Sequence, residues 1–162
     1  MPERIRVLRW YVLALVVVLL DQYTKGLASA QLEYARPVPV FFWFDLTLHH
    51  NPGAAFSFLS DAGGWQRWFF TGIAVAMSVA IAAWLFFVPR AQWLLALGLG
   101  LILGGALGNL WDRVVLGHVV DFISVHWQGW YFPTFNLADS AITVGAGCLI
   151  LDSFLHRGQE KA

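Results

Sequence analysis

Gly108-Asn109-Leu110-Trp111-Asp112-Arg113 closes one apolar run and Phe135-Asn136-Leu137-Ala138-Asp139-Ser140 opens the next, with Val119-Val120-Asp121-Phe122 between them. Three carboxylates, Asp112, Asp121 and Asp139, therefore fall at the edges of segments greasy enough to lie in a bilayer. Charge at or near hydrocarbon depth is costly. Such groups face a protein interior or a watery cavity, and they are functional candidates by default.

Composition supports a membrane setting. The 162 residues are 59% apolar and only 12% charged, about half the charged share of an ordinary soluble domain, roughly 25%. Zero net charge leaves no basic field to recruit nucleic acid, so charge has to be read by position. A single cysteine, Cys148, excludes an intramolecular disulfide and any CxxC metal or redox site.

Apolar windows of about 20 residues, enough to cross about 30 Å of hydrocarbon as helix, fall at 8–29, 68–88, 91–110 and 137–154. The expected architecture is an all-α membrane protein, one integral domain of four transmembrane helices. Asp21 and Lys25 interrupt the first window, so it reads as a retained helix rather than a cleavable signal peptide. Pro89-Arg90 leaves almost no chain between the second and third windows, which makes those helices antiparallel neighbours. Basic residues cluster at one set of helix ends, Arg4, Arg6 and Arg9, then Arg90, then Arg157 and Lys161, and the positive-inside rule makes those ends, and both termini, cytoplasmic. The connections 30–67 and 111–136 are then extracytoplasmic, and their Trp43, Trp65, Trp127 and Trp130 suit a membrane interface.

Val38 to Asn51 is rich in β-branched and aromatic residues, follows Pro37 and Pro39, and ends in Asn51-Pro52-Gly53, a pattern that predicts a short strand or hairpin. Asp121 to Trp127 is also strand-like. A small extracytoplasmic β-sheet should result, its aromatics (Phe41, Phe42, Trp43, Phe44) resting at the interface. Gly100, Gly104 and Gly108 on the third helix, and Gly72, Ala76 and Ala80 on the second, are spaced four apart and predict two closely packed helix faces.

Several of the charged residues have ordinary readings. Asn136 suits a helix N-cap, with Asp139 at the third helical position complementing the dipole. Asp21 and Lys25 are spaced for an i,i+4 ion pair, and Asp112 with Arg113 could anchor a helix end at the interface. Asp152 reads as snorkelling or loosely paired near the cytoplasmic end. Asp121 has no such reading, since His118-Val-Val-Asp-Phe-Ile-Ser-Val125 offers neither cap nor turn. With Asp139 it suggests a dyad: two close carboxylates share a proton, one acting as base toward water and the other as acid toward a carbonyl. A peptide bond can then be hydrolysed without metal or covalent intermediate. A helix N-terminus favours the anion at Asp139 and leaves the proton to Asp121. His49 and His50, neighbours in a strand, point to opposite faces and lack a third ligand at zinc-like spacing. Cys148 is half a helical turn out of phase with Asp139 and about 13 Å deeper. A proton-coupled channel or transporter is the competing class, but the spans offer almost no ionisable groups along a path from the outer edge to Asp152.

Taken in order, Asp21-Gln-Tyr-Thr-Lys25, Asn51-Pro-Gly-Ala-Ala-Phe56, Gly104-Gly-Ala-Leu-Gly-Asn109-Leu-Trp-Asp112-Arg113, Val120-Asp121-Phe122 and Phe135-Asn136-Leu-Ala-Asp139-Ser140 resemble the lipoprotein signal peptidases (signal peptidase II), four-helix aspartic peptidases of the bacterial inner membrane. The resemblance runs from end to end. It implies that Asp121 and Asp139 are the catalytic pair and that Asp21, Lys25, Asn51, Gly53, Asn109, Asp112, Arg113, Asn136 and Ala138 line or support the site. It further implies a prolipoprotein substrate whose cysteine already carries diacylglycerol, with cleavage just before that cysteine. Neither cofactor nor metal is expected, and the expected state is a monomer in contact with membrane lipid.

Overall fold

In the computed structural model, which describes residues 3–53 and 65–157, four helices carry a small sheet at one end of the bundle. The helices are α1 (Glu3–Gln31), α2 (Trp65–Phe87), α3 (Trp93–Val115) and α4 (Leu137–Arg157), each long and apolar enough to cross a membrane. The strands are β1 (Val38–Phe41), β2 (Phe44–Asn51), β3 (Val119–Trp127) and β4 (Trp130–Tyr131). Lys161 and the Ala54 to Phe56 part of the second motif lie outside the described residues, as do the side chains of Arg4, Arg6 and Arg157.

The hub is α3. Its most apolar window is 50% buried, against 22% for α1, 22% for α2 and 17% for α4, so the other three helices lean on α3 and turn most of their surface to lipid. Glycine makes the approach close. Gly100 meets Trp10 of α1 and Gly104 meets Ala14 and Val17, while Gly105 faces Ala138 and Ile142 of α4. Lipid tails are as apolar as leucine, so helix association depends on this kind of dense contact rather than on a hydrophobic drive. Ala14, Ile81, Leu85, Val88, Ala96, Leu99 and Leu103 complete a core shared by α1, α2 and α3.

The second small-residue stripe behaves differently. Gly72, Ala76 and Ala80 are exposed, and a Cβ added at Gly72 would meet nothing within 4 Å. The expectation that this face packs is therefore wrong: α2 turns Ser78, Ile81 and Leu85 inward instead. A pair of substitutions separates the two cases. A Cβ at Gly145 would lie 2.6 Å from the Gly98 carbonyl oxygen and 2.7 Å from Ile102 Cγ1. Gly145→Ala should cost about 1–3 kcal/mol by overpacking, read as a lower Tm in detergent. Gly72→Ala should leave Tm unchanged or slightly raised, through better helix propensity.

Helix ends also differ from the apolar windows. α1 starts at Glu3 rather than 8, α3 runs to Val115 rather than 110, α4 to Arg157 rather than 154, and α2 sits at Trp65–Phe87 rather than 68–88. Hydrogen bonding continues past the greasy stretch wherever polar side chains reach the interface. Asp112 and Arg113 consequently stand on α3, and the outer connections shrink. Asp152 is 5% exposed, so it is buried among helices and does not snorkel.

The sheet is antiparallel in the order β1-β2-β3-β4. In the central pair His49 lies opposite Asp121 and Asn51 opposite Val119, after a register shift between Leu46 and His49. Phe135 exchanges backbone hydrogen bonds with Ile123 (3.0 and 2.8 Å). That stitch brings the start of α4 alongside Asp121.

Candidate active site

α4 begins with a reciprocal cap. Asn136 Oδ1 accepts from the Asp139 N–H (3.0 Å), and Asp139 Oδ2 accepts from the Asn136 N–H (3.3 Å), the capping-box exchange that satisfies two otherwise orphaned donors. The Ala138 N–H is taken by Asp21 Oδ1 of α1 at 2.9 Å. The cap sequence could have served stability alone, but Asn136 also reaches outward. Its Nδ2 donates to Asp121 Oδ1 (2.8 Å), so one residue is joined to both carboxylates, to Asp139 through its backbone N–H and to Asp121 through its side-chain amide.

A second asparagine reaches Asp139 from α3. Asn109 Nδ2 donates to Asp139 Oδ1 (2.7 Å), while its Oδ1 accepts from Lys25 Nζ (2.9 Å) and Asn136 Nδ2 (3.1 Å). Lys25 in turn pairs with Asp21 Oδ2 (2.8 Å) and Asp112 Oδ2 (3.0 Å). Asp112 Oδ2 also accepts from the Val120 N–H (3.1 Å), tying the residue before Asp121 to α3. Asp21, Lys25 and Asp112 are each at most 3% exposed. Buried charges persist only when paired and hydrogen-bonded, and here they pair across α1 and α3.

Asn51 approaches Asp121 from β2. Its Oδ1 accepts from the Gly53 N–H (2.9 Å), which fixes the amide so that Nδ2 donates to Asp121 Oδ2 (3.2 Å). Gly53 has φ +105° and lies against the Phe70 ring, where a Cβ would come within 2.7 Å of Cδ2, so glycine is required on both counts. Arg113 Nη1 donates to the Asn109 carbonyl (3.3 Å) and its guanidinium lies 5.9 Å from the Phe70 ring centroid. Its Nε is buried without a hydrogen-bond partner among the described residues.

Asp121 is 2% exposed. Burial, and next the nearby Asp139, push its carboxyl up to about 7, against the partial opposition of the hydrogen bonds from Asn51 and Asn136 and the charge of Lys25. Asp139 is half-buried and borders a groove of about 350 Å³ that Phe132, Phe135, Ser140, Thr143 and Val144 also line.

The fold thus gathers Asp21, Lys25, Asn51, Gly53, Asn109, Asp112, Arg113, Asp121, Asn136, Ala138 and Asp139 at one end of the bundle. Two further residues join them. Gln22 Nε2 donates to Asp112 Oδ1 (2.9 Å) and to the Gly108 carbonyl (3.1 Å), and Arg67 donates to the Arg113 and Val114 carbonyls, both at 2.7 Å. The first motif contains Gln22, whereas nothing in the sequence around Arg67 marks its partners, which are backbone groups 46 and 47 residues away.

A membrane-spanning bundle that gathers this much buried polar chemistry at one end has the build of an integral membrane enzyme, and comparison with known proteins agrees. A bacterial membrane enzyme solved by the in meso method at 2.3 Å resolution superposes with a TM-score of 0.82 at 31% identity, covering 95% of this chain and 92% of that one. The lipoprotein signal peptidase of Ectopseudomonas mendocina is 54% identical over 158 residues, 95% of this chain and 94% of its own length. That of Teredinibacter turnerae is 53% identical over 146 residues, covering 90% of this chain and 87% of its own. The family described as Signal peptidase (SPase) II matches residues 13–155. The chain belongs to the signal peptidase II family and is a peptidase of a bacterial membrane.

Proposed function

We propose that the chain removes signal peptides from diacylglyceryl-modified prolipoproteins, cutting before the lipidated cysteine with Asp121 and Asp139 as its acid and base. The observation that carries this reading is the shared network in which Asn136 bonds to both carboxylates. The α4 N-terminus favours the anion at Asp139, and a carboxyl raised to about 7 at Asp121 keeps its proton near neutrality. Asp139 takes a proton from water as that water attacks the scissile carbonyl, and Asp121 gives its proton to the carbonyl oxygen. On collapse of the tetrahedral intermediate the C–N bond breaks, Asp139 passes its proton to the leaving nitrogen, and Asp121 recovers one from the hydroxyl.

The remaining residues serve this pair. Asn109 and Asn136 orient the carboxylates, Asn51 and Gly53 hold Asp121 from the sheet, and Asp21, Lys25, Asp112 and Ala138 lock α1, α3 and α4 together. Arg113, whose Nε is buried with no hydrogen-bond partner among the described residues, is proposed to reach a substrate oxygen. The groove beside Asp139 suits the chain flanking the scissile bond, with acyl chains left in lipid. Arg9 and Arg90 at the opposite helix ends support an orientation with both termini in the cytoplasm and the site at the outer face of the inner membrane. The working state in this reading is a monomer.

Purified protein given matched lipidated and non-lipidated precursors tests this reading: only the lipidated one should be cut, before its cysteine. Equal cleavage of both, or of neither, contradicts it.

The pH profile offers a second test. Raising the Asp121 pKa favours its neutral form, so any stability it lends is complete below the ordinary value of 3.8 and is lost as pH rises through about 7. Activity that needs this proton should fall along the same limb, with an apparent pKa belonging to the pair. The Asn51 hydrogen bond lowers the Asp121 pKa. Asn51→Ala should therefore move the alkaline limb of kcat/KM to higher pH, and a shift to lower pH would contradict the assignment.

A further inference from the structure

At the site end of the bundle α2 is tied to α3 by an arginine. The buried side chains among the described residues of α2 are Ser78, Ile81 and Leu85, all in the half remote from the carboxylates, so its opening turns have no buried apolar anchor. Arg67 takes that place. Its Nε donates to the Arg113 carbonyl and its Nη2 to the Val114 carbonyl, both at 2.7 Å. These acceptors are orphans of the α3 C-terminus. The Leu116 and Gly117 N–H groups both bond to the Asp112 carbonyl (2.7 and 3.2 Å), and Gly117 turns the chain aside at φ +85°. The Arg67 guanidinium supplies the two donors that a further turn of helix would have supplied, and its charge suits the negative end of the helix dipole.

Further along α2, the Phe70 ring centroid lies 5.9 Å from the Arg113 guanidinium, and the same ring lies against Gly53. α2 therefore meets Arg113 twice, at its carbonyl through Arg67 and at its guanidinium through Phe70. We infer that Arg67 is a positioning residue for the substrate: by fixing the last turn of α3 it holds the Arg113 guanidinium where a non-reacting oxygen of the precursor meets it. The inference rests on the peptidase reading above. Neither Arg67 hydrogen bond goes to a carboxylate or to an asparagine that holds one, so Arg67 acts on binding rather than on proton transfer. Two carbonyls on successive residues also suit a planar fork better than the point charge of a lysine.

Steady-state cleavage of a lipidated precursor in detergent, by the full-length wild type, Arg67→Gln, Arg113→Gln and the double variant, tests this. Arg67→Gln should raise KM by about tenfold or more, since misplacing a positioning group by about 1 Å costs up to about a hundredfold. Its kcat should stay within about threefold of wild type, the pattern of lost uniform binding. The alkaline limb of kcat, set by the carboxylate pair, should not move. Because Arg67 acts through Arg113, the double variant should match Arg113→Gln alone to within about twofold. Arg67→Lys should give an intermediate KM, with the charge kept and the fork lost. An unchanged KM in Arg67→Gln, a fall in kcat alone, or losses that multiply in the double variant overturn the inference and leave the peptidase reading standing. A wild type that cuts no lipidated precursor overturns both. If the glutamine variant does not fold, the same cycle run from Arg67→Lys, which keeps a cation at the α3 C-terminus, decides by the same criteria.

Discussion

Asp139→Asn and Asp121→Asn should each reduce turnover of a lipidated precursor by about a thousandfold or more, while each variant still runs as a folded monodisperse protein. General acid and base groups each contribute about 10²–10⁴-fold, and neither half of a proton-sharing pair works alone, so the losses should not add in the double variant. The substitutions suit the geometry. An asparagine at 139 keeps an oxygen for the Asn136 N–H, which Asp139 accepts at 3.3 Å, so the α4 cap survives while the base is gone. An asparagine at 121 keeps an oxygen toward Asn136 Nδ2, the donor now at 2.8 Å, and loses the transferable proton. The measurement is single-turnover cleavage, with thermal unfolding of each variant as the control. Turnover within tenfold of wild type by either variant would remove that residue from the chemistry.

Lys25→Met should produce the largest loss of stability, because it strands two buried carboxylates whose only salt-bridge partner among the described residues is Lys25. Asp21 is fully buried and Asp112 is 1% exposed, and the ammonium lies 2.8 and 3.0 Å from them. Breaking a buried charge pair by removing one partner costs about 3–5 kcal/mol, whereas replacing the whole set by neutral groups is often close to harmless. The triple variant Asp21→Asn, Lys25→Met, Asp112→Asn should therefore regain most of the Tm that the single variant loses. An undiminished Tm in Lys25→Met would mean that water or lipid headgroups reach the triad. A triple variant no better than the single would mean that the hydrogen bonds to Val120 and Ala138, rather than charge, hold the helices.

The four spans were legible because hydrocarbon imposes length and apolarity on any helix that crosses it. Asp121 stood out for the complementary reason, an aspartate in an apolar strand with no cap or turn to explain it. The limits of the reading are equally physical. Gly72, Ala76 and Ala80 have the spacing of a packing face, yet small residues turned toward lipid cost little, so spacing alone could not say which face finds a partner. Asp152 near a helix end looked destined for the interface, and only the arrangement of neighbouring helices buries it. Motif order brought forward the eleven residues that the fold gathers at one end, but not their connections. Nothing in Phe135-Asn136-Leu137 says that the amide beginning α4 also reaches a carboxylate on β3, because that contact depends on the Phe135 to Ile123 stitch. Arg67 was invisible for a related reason, since any residue type supplies the carbonyls it binds.

The double duty of Asn136 also sets an order of events during biosynthesis. Asp121 enters the chain before α4 does, but one of its two amide partners and the second carboxylate both arrive with the first turn of that last helix. A nascent chain holding three inserted spans has an isolated aspartate on a half-built sheet and no partner with which to share a proton. On the proposed two-aspartate mechanism, hydrolytic competence is withheld until the final span docks against α1 and α3, and a truncated or stalled product is inert toward the lipoprotein precursors that pass through the same membrane.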